Sequence, residues 1–178
     1  MDITEQSLFE LLRQEGVVTP KKRPNRAAIY RNPRTVNHLA QLIADRVIKT
    51  MSSGDNVDLI VGPDGYGLNL ASFVAFNIFL TTGREVLTAT TRRSLTQPGY
   101  TVEEADRLLI SHRKVFVVDD FVTTGDSAGM LIEEISERKG QVVGFGAIMN
   151  LGDGAVKGKI LALAPQVDFL IGGAPYLL

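Results

Sequence analysis

Short runs of β-branched and apolar residues alternate with longer helical patterns along most of the chain. Runs bounded by glycine, polar or charged residues predict five strands, at residues 57–61, 86–90, 115–119, 142–149 and 167–171. Helical spacing with helix-ending residues predicts four helices, at residues 3–13, 36–50, 68–79 and 127–139. Because strands and helices alternate, and the strands are apolar enough to be covered on both faces, the pattern indicates an α/β domain built on a parallel sheet.

Two stretches interrupt this alternation. Residues 19–34 carry six cations and no acid, and residues 91–113 form a long connection. No internal repeat, low-complexity tract or linker is present. One domain is therefore predicted over residues 1–178, with its core at about 36–150 and a flexible loop at 91–113.

Composition narrows the function classes. The chain has 178 residues, 44% of them hydrophobic and 22% charged, which is enough apolar material for one core. A net charge of −1 argues against a nucleic-acid binder, so a phosphate ligand would have to be held locally. The absence of cysteine excludes disulfides, thiolate metal sites and a cysteine nucleophile. With no apolar stretch of the ~20 residues that span a bilayer and no signal-like segment, a cytoplasmic protein with no membrane partner is expected.

The most informative segment is residues 115–127. Four apolar residues lead to Asp119 and Asp120, and residues 123–127 then turn into a helix. Open α/β sheets bind ligands at the carboxyl ends of their strands. The turn can present N–H groups and hydroxyls to an anion at a helix N-terminus, while ionised carboxylates accept hydrogen bonds from hydroxyls. The pattern suits a sugar phosphate, although two solvated acids that cap a turn would look the same.

This segment resembles the 13-residue signature of type I phosphoribosyltransferases: four hydrophobic residues, two acids and a Thr-x-Gly loop. The resemblance implies that Asp119 and Asp120 hold the ribose hydroxyls of phosphoribosyl pyrophosphate (PRPP). The residues implied to bind its 5-phosphate are Thr123, Thr124, Gly125, Asp126 and Ser127. Asp126 departs from the family, which more often has Gly or Thr there, and a carboxylate beside a phosphate is unfavourable unless it points away or meets Mg²⁺.

Two other classes share features with this segment. A receiver domain also places paired acids after a strand, but near its start, and only 58 residues follow Asp120. A P-loop needs Gly-Lys-Ser/Thr, which is absent.

A second glycine-rich loop follows the first predicted strand. Its residues are Gly62, Pro63, Asp64, Gly65, Tyr66 and Gly67. A dinucleotide site is an alternative, because Glu85 follows at a suitable distance; however, Gly-x-x-Gly-x-Gly is not the expected spacing, and Pro63 removes an N–H donor. By resemblance this loop binds the pyrophosphate of PRPP, and a purely structural turn is the simpler alternative.

The long connection and the basic arm are the remaining candidates. By resemblance, the connection closes over the site, with Arg92 and Arg93 near the departing pyrophosphate; solvated loop arginines are the alternative. Orotate enzymes usually carry lysines there, and none lies between Lys49 and Lys114. The arm resembles a base-covering segment in which Ile29 and Tyr30 stack on a base, although a solvated basic face is equally compatible.

The base itself is predicted from the end of the fourth strand. Orotate enzymes typically place an Asp-Arg pair there to meet the base carboxylate, whereas this chain has Asn150 and Leu151. Together with Phe121, these residues favour a purine-type base.

The resemblance therefore implies an Mg²⁺-dependent transferase that joins a purine-type base to PRPP and releases pyrophosphate. Asp119 and Asp120 would hold the metal mostly through ligand and water. A hood built from residues 1–35 and 151–178 and a homodimer are expected, with no nucleic-acid partner. Three alternatives stay open: an orotate enzyme, a non-catalytic PRPP- or nucleotide-binding regulator, and, least favoured, a nicotinamide-dependent dehydrogenase.

Overall fold

The computed structural model describes residues 4–19, 24–54, 56–89, 91–93, 100–102 and 106–172. Its helices are α1 (Glu5–Gln14), α2 (Arg26–Arg31), α3 (Pro33–Ser52), α4 (Tyr66–Thr82), α5 (Arg107–Ile110), α6 (Asp126–Glu137) and α7 (Gly154–Leu161). Its strands are β1 (Leu59–Val61), β2 (Leu87–Ala89), β3 (Thr91–Arg93), β4 (Tyr100–Val102), β5 (Lys114–Val122), β6 (Gln141–Asn150) and β7 (Val167–Gly172).

Five parallel strands form the central sheet in the order β2-β1-β5-β6-β7. The predicted α/β fold with a parallel sheet is confirmed. The remaining two strands, β3 and β4, form a separate antiparallel pair. The strand order reverses between β1 and β5, so the loops that follow these two strands emerge side by side at the carboxyl edge.

The core lies on both faces of this sheet. On one face, Phe116 of β5 packs with buried residues of α3 and α4, such as Ile43 and Leu70. On the other face, Phe145 of β6 packs with Leu131 of α6. β5 and β6 are buried along almost their whole length, which explains their long apolar runs. The few polar residues inside this layer therefore need a separate reason to be there.

The structure also contains elements that the hydrophobic pattern does not predict. Helix α2 lies within the basic arm, and β3 and β4 lie within the long connection. Helix α7 contains two glycines, which lower helix propensity, but Asp153 caps it by accepting a hydrogen bond from the Ala155 N–H. Among the described residues, no helix is long and apolar enough to cross a bilayer.

Candidate functional site

A cleft of about 230 Å³ opens at the carboxyl ends of β1 and β5. Two loops face each other across it, the first loop at residues 62–67 and the second loop at residues 123–127. The residues that line it are Arg26, Pro63, Asp64, Gly65, Tyr66, Gly67, Asp119, Phe121, Val122, Thr123, Thr124, Gly125, Asp126, Ser127 and Ala128. The structure thus brings together one of the paired acids, all of the second loop and most of the first.

The first loop is tightly closed. A Cβ on Gly62 would stand 2.1 Å from the Gly67 carbonyl oxygen, so only glycine fits there. Gly65, just before α4, has φ of +80°, which also favours glycine. The Thr91 hydroxyl donates a buried 2.8 Å hydrogen bond to the Gly62 carbonyl, which ties β3 to the loop. The loop is therefore preformed, with its backbone lining the cleft at the start of a helix.

The second loop leads into α6 through Gly125, whose φ of +77° lies in the left-handed region. The connection between β6 and α7 packs against the second loop. The Leu151 N–H donates to the Val122 carbonyl at 2.7 Å, and a Cβ on Gly152 would stand 2.1 Å from the Thr123 carbonyl oxygen. This close approach holds the loop at the N-terminus of α6, where backbone N–H groups favour an anion.

Asp126 is an acid within that loop, and it is paired. One carboxylate oxygen forms an ion pair with Lys159 of α7, and the other accepts a 2.6 Å hydrogen bond from the Thr124 hydroxyl. Hydrogen bonds from Lys159 and then Thr124 lower the pKa of Asp126 below its ordinary value. Lys159 therefore offsets a charge that would otherwise repel a phosphate in this loop, and the sequence pattern did not point to it.

The two acids of β5 differ in exposure. Asp119 lines the cleft and is 7% exposed, whereas Asp120 is 0% exposed and is not among the cleft residues. Burial, followed by the charge of Asp120, raises the pKa of Asp119 well above 3.8. The Asp120 backbone N–H donates a 2.8 Å hydrogen bond to the Asp119 carboxyl, which fixes the orientation of that side chain. The predicted pair is adjacent to both loops, but only Asp119 faces the cleft.

Arg26 of α2 reaches the same place from the N-terminal side. Its Nε lies 3.5 Å from an Asp120 carboxylate oxygen, and its guanidinium donates a 3.3 Å hydrogen bond to the Phe121 carbonyl. The guanidinium carbon lies 5.9 Å from the centre of the Phe121 ring. Sequence reasoning singled out the basic arm but not this residue. Its proline- and arginine-rich pattern could not say which cation folds back onto β5.

Two tyrosines stack beside the acids. The Tyr30 and Tyr66 rings lie 4.7 Å apart between centres, at 16° between planes. Burial and the charges of Asp120 and Asp119 raise the pKa of Tyr30 above its ordinary value of 10. The Tyr30 hydroxyl and Oδ2 of Asp120 are buried and have no hydrogen-bond partner among the described residues. This polar pocket under α2 is therefore incompletely satisfied.

Several predicted base-contacting residues are not at the cleft. Ile29 is fully buried in the core, because that face of α2 packs inward. Asn150 is buried as well, and its oxygen accepts from the Gly152 N–H while its amide donates to the Asp153 carbonyl. It shapes the turn before α7, and it lines a different cleft of about 480 Å³. Leu151 packs against the core. The geometry gives none of these three a face toward the first cleft.

The predicted arginines of the long connection lie on β3. Arg92 pairs in register with Thr101, and Arg93 pairs with Tyr100. Arg92 is not among the described residues that line the cleft, and residues 94–99 of the connection lie outside the described residues. Within the described part of the chain, no group of three or more His, Asp or Glu side chains could hold a metal ion.

Comparison with known proteins places this cleft in context. Residues 25–163 match the phosphoribosyl transferase domain family. An orotate phosphoribosyltransferase of Thermoanaerobacter sp. (strain X514) is 30% identical over 109 residues, 60% of this chain and 52% of that enzyme. A xanthine phosphoribosyltransferase of Streptococcus pyogenes (serotype M49, strain NZ131) is 38% identical over 73 residues, 41% of this chain and 37% of that enzyme. The chain thus spans only about half or less of these relatives.

The fold comparison covers nearly the whole chain. The crystal structure of Mycobacterium tuberculosis H37Rv orotate phosphoribosyltransferase in complex with inorganic phosphate superposes with a TM-score of 0.70 and 18% identity. The match covers 97% of both chains. At that identity the likeness concerns the fold.

Proposed function

The chain belongs to the phosphoribosyl transferase family, and we propose that it transfers the 5-phosphoribosyl group of PRPP to a nucleobase, releasing pyrophosphate. The observation that carries the proposal is the single cleft that is lined by Asp119 and by both loops. A ligand with a phosphate at one end, a pyrophosphate at the other and ribose hydroxyls between them matches this arrangement. No other part of the described chain combines these three features.

In this proposal each part of the cleft has one task. The second loop binds the 5-phosphate through its backbone N–H groups and hydroxyls, and the first loop binds the pyrophosphate. Asp119 accepts hydrogen bonds from the ribose hydroxyls, and the Arg26–Asp120 pair holds α2 against the end of β5. No side chain forms a covalent bond, so catalysis comes from positioning the reactants and from stabilising charge on ribose and pyrophosphate.

Mg²⁺ fits such a site as an ion that arrives with the substrate. Carboxylate oxygens are the ligands it prefers, and Asp119, the acid that faces the cleft, would hold it mostly through water and PRPP. Asp120 is predicted to share this role, but its side chain is fully buried beside Arg26 and is not among the cleft residues. The ion would supply positive charge next to the leaving pyrophosphate.

A purine-type base is the first candidate for the acceptor. Arg26 is the single cation among the described residues that line the cleft, and it is already paired with Asp120. A carboxylate-bearing base would have to compete with that pair. The aromatic groups Phe121 and Tyr66 at the cleft suit a planar apolar face.

Orotate is the second candidate, favoured by the orotate phosphoribosyltransferases among the relatives. In that case Arg26 would leave Asp120 and meet the base carboxylate. An Arg26→Met variant separates the candidates, because it should reduce the turnover of orotate far more than the turnover of a purine.

The deciding experiment is pyrophosphate release from PRPP with adenine, guanine, hypoxanthine, xanthine, uracil and orotate in turn. Turnover with one of these bases, lost in Asp119→Asn, supports the transferase. Binding of PRPP without turnover on any base supports the alternative of a PRPP-binding regulator. No PRPP binding at all contradicts both. The homodimer and the cytoplasmic location stay predictions, to be checked by light scattering and by cell fractionation.

A further inference from the structure

The second loop contains an acidic side chain, that of Asp126. Asp126 projects from the first turn of α6, and its two carboxylate oxygens are bound by the Lys159 ammonium and the Thr124 hydroxyl. Both of these groups are donors of the kind that a phosphate requires. In this structure both donors are bound to a carboxylate.

The backbone of Lys159 is held close to the loop by packing. Val156 and Ile160 of α7 are buried, and each lies 3.5 Å from the position of a Cβ on Gly125. Lys159 directly precedes Ile160, so the packing of α7 keeps the Lys159 backbone near the loop, and its ammonium reaches Asp126 there. The side chains of the pair are about half exposed, which leaves them free to exchange partners.

The charges of Asp126 and Lys159 determine whether the second loop repels or attracts a phosphate. A carboxylate without its partner would repel a phosphate, whereas the Asp126–Lys159 pair is neutral. A phosphate that displaces the carboxylate gains two donors, and it carries more negative charge than the group it replaces. The exchange frees the Asp126 carboxylate, but that side chain is half exposed, so water solvates it and screens its repulsion of the phosphate.

We propose that Lys159 is a phosphate-binding residue at the second loop. When no phosphate is bound, the Asp126 carboxylate binds the same donors that the phosphate would use. The inference rests on the proposed function, because the ligand is the 5-phosphate of a phosphoribosyl compound. Asp126 then lowers the affinity of the loop for phosphate by competition, and Lys159 raises it by direct contact.

The test uses calorimetric titration with ribose 5-phosphate at low ionic strength. Lys159→Met should weaken binding about tenfold, because it removes one charged hydrogen bond at a partly exposed site. Asp126→Asn should tighten binding about threefold, because both donors become available. Lys159→Met in the Asp126→Asn background should still weaken binding at least about tenfold. Lys159→Arg should retain binding.

Lys157→Met is the matched control. It removes the same charge from the same helix, but Lys157 lines the other cleft, so affinity should stay within about twofold of the wild type. Melting temperatures of all variants establish that each is folded.

The outcomes separate the alternatives. If Lys159→Met has no effect once Asp126 is Asn, then Lys159 only neutralises Asp126 and does not bind phosphate, and the inference is overturned. Weaker binding by Asp126→Asn contradicts the competition. If the wild type binds PRPP and ribose 5-phosphate and turns over a base, but Lys159→Met binds both ligands equally well, this inference fails while the transferase stands. If the wild type binds neither, both fail.

Discussion

At the scale of single residues, the paired acids of β5 have different surroundings. Asp119 is at the cleft and Asp120 is enclosed beneath Arg26. A strand followed by two acids predicts that both reach the edge of the sheet. The exposure of each acid depends on α2, which covers Asp120 and which the hydrophobic pattern does not reveal.

Asp119→Asn should stabilise the fold and weaken the binding of PRPP. Because burial raises the pKa of Asp119, its contribution to stability is fully present below the ordinary value of 3.8 and is lost as pH rises through the folded-state pKa. The neutral amide avoids this cost, so the free energy of unfolding at pH 7 should rise by about 1 kcal/mol. Urea unfolding from pH 4 to 8 should show a smaller decline than in the wild type, and PRPP affinity should fall. A steeper decline would contradict the raised pKa.

Arg26→Met should destabilise the fold, because it leaves the Asp120 carboxylate buried without its counter-ion. Arg26 is half exposed, so we expect a loss of about 1–2 kcal/mol, below the cost of breaking a fully buried pair. The double variant Arg26→Met/Asp120→Asn should recover most of this loss. Arg31→Met, at the exposed end of the same helix, is the control and should change stability by less than about 0.5 kcal/mol. No recovery in the double variant would show that Arg26 acts by packing alone.

At the scale of helices and strands, the sequence predicts the parts whose pattern is local. The five strands of the sheet and the four long helices follow from apolar periodicity, and the two loops follow from their glycines and acids. The short elements depend on distant contacts. Helix α2 is anchored to β5 through Arg26, and β3 is anchored to the first loop through Thr91. The position of Asn150 in the sequence predicts a base contact, and its hydrogen bonds to the next turn depend on a local geometry that the pattern does not show.

The first loop offers a test at this scale. Gly62→Ala places a methyl group 2.1 Å from the Gly67 carbonyl oxygen, so the loop must open, at a cost of about 1–3 kcal/mol. Gly158→Ala is the control, since Gly158 lies within α7, an added Cβ would meet no atom within 4 Å beyond its chain neighbours and its own helix backbone, and the change should stabilise the fold by about 0.5–1 kcal/mol. Thermal unfolding measures both. An unchanged stability in Gly62→Ala would show that the loop is not tightly closed.

At the scale of the whole molecule, the site depends on segments far apart in sequence. The first loop follows β1, the second follows β5, and Arg26 comes from the N-terminal arm. β1 and β5 are neighbours in the sheet, so the loops that follow them lie side by side. A ligand that touches both loops therefore links segments that are far apart along the chain.

Such a ligand should stabilise the whole molecule, and its two ends should act separately. At a concentration 100 times its dissociation constant, PRPP with Mg²⁺ should add about 2.7 kcal/mol to the free energy of unfolding. For a chain of this size that raises the melting temperature by roughly 5–10 °C. Ribose 5-phosphate and pyrophosphate should each give a smaller rise, because each occupies one loop. In Gly62→Ala the rise from pyrophosphate should disappear while that from ribose 5-phosphate persists, because only the first loop has opened. Loss of both responses in that variant would mean that the two loops do not bind opposite ends of one ligand.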